Sequence, residues 1–319
     1  MLGAGLASRR SLTALAAHTT APLWLKEHPM RLEDENESAN IEDRRGGGGG
    51  GRGRGIGIGG IAIALVVSYF TGIDPRLLLG LAEGVQNARE PAARHASPID
   101  PANDPQAALK SEMAKVLRKT EVVWDGAFRA MNLAYENPVL VLYRGRTSTA
   151  CGMGQAAMGP FYCPGDRKVY LDMAFFEELK QRFGAGGDFA RAYVIAHEVG
   201  HHVQNLLGVS RKTAALRERM SAAEYNQVSV RVELQADCLA GLWAQEANRT
   251  RPFLDPEDID EALRAANAIG DDMLQRQARG VVVPDSFTHG SSAQRMRWFK
   301  TGFEAASLKA CDTFSVRSP

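Results

Sequence analysis

The sequence predicts an α+β chain, mainly helical, with a small sheet and one N-terminal transmembrane helix. Three observations carry that expectation. Apolar residues recur at helical spacing through most of the chain after Gln106. Two compact β-rich runs, Val139 to Tyr143 and Lys168 to Leu171, interrupt them. Far upstream, Gly55 to Ile73 runs without a charge.

The 319 residues suffice for one ordinary domain plus extensions, and the net charge of +1 leaves no global field to recruit nucleic acid. Four cysteines, at 151, 163, 238 and 311, are too few for a disulfide scaffold but form an even set. Residues 1 to 29 differ in composition from the rest of the chain. Ser8-Arg9-Arg10-Ser11-Leu12 faintly resembles a twin-arginine export signal, but the apolar run from Leu12 to Ala17 is short for one. Met30 opens a new composition and is a candidate start.

Residues 1–54 are expected to form a disordered tail, polar from Arg31 and then glycine-saturated from Gly46 to Gly51. Glycines with arginines also suit an RNA-binding tail. This tract is short and lacks interleaved aromatics, so no nucleic acid partner is expected. Residues 55–73 then read as a membrane anchor, since about 20 apolar residues span a bilayer core. Arginines 44, 45, 52 and 54 flank its N-terminal side and Asp74 the other. The positive-inside rule makes the N-terminus cytoplasmic and the bulk of the chain extracytoplasmic. Residues 74–105, with Pro91, Pro98, Pro101 and Pro105, read as a linker, leaving 106–319 as the body.

Within the body, Gln106 to Leu133 and Ala174 to Phe183 carry helical periods. The stretch between the two strands contains Cys151 and Cys163, which close a short Gly-rich loop. Outside the cytoplasm such a pair favours a disulfide. Cys238 and Cys311 are candidates for a second bridge.

The run Phe189 to Leu207 contains His197-Glu198-Val199-Gly200-His201, an H-E-x-x-H motif. Positions i and i+4 share a helix face, so His197 and His201 can direct two imidazole nitrogens at one Zn²⁺ ion. Glu198, offset around the helix, is the candidate catalytic base for a water on that ion. Two histidines leave the site short of one protein donor. Helical Val230 to Ala247 supplies Glu233 and Asp237, again i and i+4 on an otherwise apolar helix. Glu233 is the expected third ligand, and Asp237 the acceptor that orients a ligand histidine through its other ring nitrogen. Glu224 and Glu246 are alternatives to Glu233. Strands before an active helix and helices after it suit a zincin-like metalloprotease domain. There a sheet edge can pair with an extended peptide, and Lys168 to Leu171 is the candidate edge.

Several stretches together resemble the bacterial family described as "Putative neutral zinc metallopeptidase". They are Ala196 to Gln204, Glu233 to Gly241, Gly159 to Pro164 and Ser286 to Arg295, with the acidic, glycine-rich and apolar opening from Met30. The resemblance covers about Met30 to Phe314 and is similar, more distantly, to gluzincins with a downstream E-x-x-x-D. It implies a membrane-anchored zinc endopeptidase of the bacterial inner membrane that acts on peptides or proteins. His289 with Arg295 is similar to the H-P-x-x-x-x-R stretch of membrane-associated gluzincins, with Gly290 where they have proline. That implies a catalytic role for His289 as hydrogen-bond donor to an oxyanion. Its alternative is a cap on the next helix, Ser291 to Ala306. Asp258 to Arg279 reads as one amphipathic helix packed behind the site. His202, adjacent to a ligand, points elsewhere, and His95 in the linker needs no role. The competing class is a membrane-tethered zinc-binding scaffold without proteolytic activity.

Overall fold

The computed structural model describes residues 30–46 and 99–319. The expected anchor at 55–73, His95 and most of the linker lie outside the described residues. Among the described residues no helix is long and apolar enough to cross a membrane.

In chain order the strands are β1 (Ile41–Asp43), β2 (Val139–Tyr143), β3 (Arg146–Thr149), β4 (Gly152–Gln155), β5 (Phe161–Cys163) and β6 (Lys168–Asp172). The helices are α1 (Ala107–Ala130), α2 (Ala174–Phe183), α3 (Asp188–Leu206), α4 (Val209–Ala214), α5 (Ala222–Thr250), α6 (Pro256–Ala268), α7 (Asp271–Arg279) and α8 (Ser292–Ala305). The chain is thus α+β and mainly helical, as its periodicity predicts.

Four strands form one sheet in the order β1-β2-β6-β5, with β3 and β4 a separate hairpin. Strands β1, β2 and β6 run parallel, and β5 is antiparallel to β6. Leu140, Val141 and Leu142 are all fully buried, which is why β2 reads as a continuous apolar run rather than an alternating one. Strand β6 lies inside the sheet, so Lys168 to Leu171 is not the free edge the sequence suggests. That edge is β5, whose three residues between Pro160 and Pro164 are too few for a period to register.

The expected disordered tail is corrected in part. Residues 30–46 are built into the body. Met30 and Leu32 are buried, and Ile41, Glu42 and Asp43 pair in register with Leu140, Val141 and Leu142. Arg45, only 2% exposed, pairs with both Asp43 and Asp104 at 2.6 Å. Asn40 donates to Glu121, and Lys119 pairs with Glu35 while sitting over the Phe253 ring. Charges that look like a solvated run are satisfied by partners far along the chain, a signal that local composition does not carry.

Helix α3 crosses the core against α1, α5 and α6. Its Phe189 meets Trp243 of α5 and Phe253. Helices α5 and α8 approach at Gly241 and Gly302. A Cβ on Gly302 would lie 1.8 Å from the Cys238 carbonyl oxygen, so only glycine permits this spacing. The segment expected as one helix from Asp258 to Arg279 is two. The chain turns at Ile269–Gly270, where Gly270 is extended and a Cβ would strike Ser292. The amphipathic period continues across the break, so pattern alone does not reveal it. Disulfides join Cys151 to Cys163 and Cys238 to Cys311.

Candidate metal centre

Helix α3 presents His197, Glu198 and His201 on one turn, and α5 presents Glu233 and Asp237 across from it. One ligand atom each of His197, His201 and Glu233 lies within 4.8 Å of the others, and no other such group occurs among the described residues. Glu233 Oε2 is 3.2 Å from His197 Nε2 and 3.5 Å from His201 Nε2.

The outer ring nitrogens explain why the Nε2 atoms are available. His197 Nδ1 faces Asp237 Oδ1 at 2.8 Å. A carboxylate accepts there, so Nδ1 holds a proton and Nε2 is the nitrogen that a metal can take once it displaces any proton there. His201 Nδ1 faces Gln204 Oε1 at 2.9 Å. Gln204 Nε2 donates to the Val232 carbonyl at 2.7 Å, which fixes the amide with its oxygen toward His201. Both Nε2 atoms therefore turn toward Glu233, and this donor set, two imidazoles and a carboxylate, fits a zinc ion.

Asp237 is completely buried and has four donor contacts. Tyr193 Oη donates to Oδ1 at 2.6 Å, beside His197, while Arg295 donates to Oδ2 at 2.9 Å and to Oδ1 at 3.0 Å. Burial would raise its pKa, but Arg295 and His197 outweigh it and hold the carboxyl at about 2. Burial would lower His197, yet Asp237 and Glu233 push it up to about 9. Burial likewise works against ionised Glu233, and the two imidazoles hold it well below the usual carboxylate range. Glu198 differs: burial dominates and its pKa is raised.

The three donors lie in a cleft of about 770 Å³ lined also by Glu198, His289, Tyr162, Phe175 and Leu274. A second hollow of about 820 Å³, between α1 and α5, brings no such donors together. His289 stands on the cleft wall with Nδ1 3.2 Å from Asp271 Oδ1. Asp271 Oδ2 accepts from the backbone N–H of Thr288, His289 and Gly290, so one carboxylate shapes the whole loop. Burial would lower His289, but Asp271 and Glu233 raise it. Gly290 has φ +90°, a conformation closed to proline, so this loop departs from the gluzincin H-P turn. The helix cap alternative for His289 is not what the structure shows: Ser291 caps α8, in a capping box with Gln294.

His202 is fully buried. Its Nε2 donates to the Glu136 carbonyl, and its Nδ1 faces Tyr162 Oη at 3.0 Å. It thereby ties edge strand β5 to α3, and the Cys151–Cys163 disulfide ties β5 to the loop at the end of the β3–β4 hairpin. Glu224 belongs to the cap of α5, and Glu246 pairs with Arg249, so neither alternative ligand reaches the centre.

Sequence reasoning assigns no role to Tyr193, Gln204 or Arg295. Each carries a signal: Tyr193 lies four residues before His197 and Gln204 three after His201, each on its ligand's face, and Arg295 is singled out by its spacing from His289.

The family described as "Putative neutral zinc metallopeptidase" matches residues 30–314 of the chain. Among curated relatives, the uncharacterized protein YpfJ of Escherichia coli strain K12 is 46% identical over 293 residues, 89% of this chain and 99% of YpfJ. The uncharacterized protein Rv2575 of Mycobacterium tuberculosis strain H37Rv is 44% identical over 202 residues, 60% of this chain and 67% of Rv2575. No solved structure matches the chain.

Proposed function

Because the chain belongs to the Putative neutral zinc metallopeptidase family, we propose that it is a zinc-dependent endopeptidase acting on peptide or protein substrates. The observation that carries this reading is the convergence of His197, His201 and Glu233, with both imidazole Nε2 atoms turned inward, in an open cleft.

A bound Zn²⁺ would supply Lewis acidity here, lowering the pKa of a coordinated water toward ~7 and polarising the scissile carbonyl. Glu198 takes the proton of the attacking water and returns it to the leaving amine. Its burial raises its pKa, which suits a carboxyl that must hold a proton briefly and release it. Asp237, Tyr193 and Arg295 keep His197 in one tautomer and orientation, and Gln204 does the same for His201. His289, its ring charge favoured by Asp271, offers Nε2–H to the oxygen on which negative charge develops. An extended substrate adds beside β5, whose outer edge is unpaired among the described residues and borders the cleft.

Membrane association rests on the uncharged apolar run Gly55 to Ile73, and an extracytoplasmic body is supported by the two disulfides.

The test is chelator-sensitive cleavage of unfolded casein by the full chain. Wild type should cleave, and Glu198→Gln should keep its zinc and lose cleavage. Full zinc content in the wild type without cleavage of casein or of a broad peptide library would favour a zinc-binding scaffold instead.

A further inference from the structure

One residue of β5 borders the cleft and also reaches α3 beside the metal-ligand histidines. We propose that this residue, Tyr162, positions the substrate: its main chain pairs with an extended peptide, and its hydroxyl fixes that peptide's place relative to His197, Glu198 and His201. This rests on the peptidase reading above and names the residue through which β5 serves it.

Strand β5 is antiparallel to β6, with Phe161, Tyr162 and Cys163 opposite Tyr170, Val169 and Lys168. The Cys163 carbonyl accepts from the Arg167 N–H at 2.9 Å, in the turn that leads into β6, so Cys163 faces its partner strand. Successive residues of an antiparallel edge strand alternate between facing the partner and facing away. Phe161 therefore also faces β6, and Tyr162 directs both its N–H and its C=O outward. Two residues to either side stand Pro160 and Pro164, which have no N–H to give. All three border the cleft. The edge thus presents a single N–H donor, and a peptide pairing there has one register, because a shift of two residues meets a proline.

The Tyr162 side chain leaves the sheet toward α3. His202 Nε2 donates to the Glu136 carbonyl at 2.6 Å, which leaves Nδ1 as an acceptor, and the Tyr162 hydroxyl donates to it at 3.0 Å. Asn205 Nδ2 donates to the same hydroxyl at 3.0 Å. Burial pushes that hydroxyl up to about 12, so it keeps the proton it donates. His202 and Asn205 follow His201 by one and four residues on the same helix. The other residues of β5 are held elsewhere. Phe161 stacks on Tyr170 with ring centroids 5.0 Å apart, and Cys163 is disulfide-bonded to Cys151. The hydrogen-bonded link from the substrate edge to the helix of the metal ligands therefore runs through Tyr162.

Loss of the hydroxyl leaves the main chain able to pair with a peptide but releases that peptide from α3. Turnover should then fall while binding persists, since a misplacement of about 1 Å can cost about 10²-fold in rate. A substrate too short to reach β5 should be indifferent.

The test uses the full chain loaded with zinc and a peptide taken from casein around a bond that the wild type cuts. In Glu198→Gln, residue-resolved hydrogen exchange at the Tyr162 amide should slow by about tenfold or more when the peptide binds. Phe161 and Cys163, already facing β6, should change little. Unaltered exchange at Tyr162 under saturating peptide overturns the inference. In Tyr162→Phe, kcat for the peptide should fall by about tenfold or more, with KM near the wild-type value and zinc content unchanged. The shortest blocked peptide around the same bond that the wild type still cuts should be cleaved at the wild-type rate. Equal loss on both substrates, no loss on either, or loss of zinc overturns it. If Tyr162→Phe does not fold, Asn205→Ala, which removes one of the two bonds, is read in the same way. A zinc-loaded wild type that cleaves no peptide overturns the peptidase reading itself, and the role of Tyr162 with it.

Discussion

Asp237 and His197 are joined by a 2.8 Å contact between Oδ1 and Nδ1 that is sealed from solvent, and the same carboxylate is held by Arg295 from behind. One buried acid therefore links the helix that carries the motif to α5 and α8. Its loss should be felt at the metal before it is felt in the fold. Asp237→Asn is expected to weaken zinc affinity by about 10–100-fold. A competition titration against a chelator checks this, and wild-type affinity would remove Asp237 from the orienting role.

Arg295 has the opposite emphasis. It is 2% exposed and satisfies a carboxylate with no access to water. Removing one partner of a buried pair costs about 3–5 kcal/mol, because the other charge is stranded. Arg295→Met should lower unfolding stability in urea by that order, with apo protein affected as well as zinc-loaded. Double replacement with Asp237→Leu should recover much of the loss.

His289 should separate chemistry from metal binding. His289→Ala is expected to lower kcat by about 10²–10³, the range for loss of an oxyanion donor. Zinc content should be unchanged, since His289 is not among the three converging donors. A change confined to KM would reassign it to substrate binding.

Zinc uptake should depend on pH through His197. In the metal-free protein this ring is pushed up to about 9, so below that value it carries a proton the metal must displace. Apparent affinity should therefore rise with pH toward about 9 and flatten beyond it. Calorimetry in buffers of different ionisation enthalpy would detect the released proton; its absence at pH 7 would contradict the assignment.

The attachment of β1 should be acid-labile. Hydrogen bonds from Arg44 and Lys168 lower Glu42 from 4.5 to about 2. A carboxylate lowered on folding stabilises fully above its ordinary value, and that contribution is lost as pH falls through the folded one. Hydrogen exchange in residues 30–46 should be protected at pH 5 and should rise as pH falls toward 2. Detachment already complete at pH 6 would show that Glu42 does not matter.

The ligand set and the helices that carry it are legible in the sequence because i, i+4 spacing is a local property: His197 with His201, and Glu233 with Asp237. Strand β2 is legible for the same reason, as five apolar residues in a row. The features that escape depend on distant partners. Arg45 looks like part of a flexible basic tail until Asp104 lies against it, and β1 offers only three residues, two of them acidic. The break at Gly270 is set by the approach of Ser292, and Asp237 becomes the partner of Arg295 only once α8 packs on α5. The free edge falls at β5 and not at the expected β6, since strand order is fixed by pairing and not by which run is more apolar.

X-ray absorption on the purified zinc-loaded chain tests the central claim most directly. The proposed centre requires one zinc per chain, with two imidazole nitrogens and one carboxylate oxygen at about 2.0–2.2 Å, and loss of bound zinc in Glu233→Ala. A shell without carboxylate, or full zinc occupancy in that variant, would contradict it.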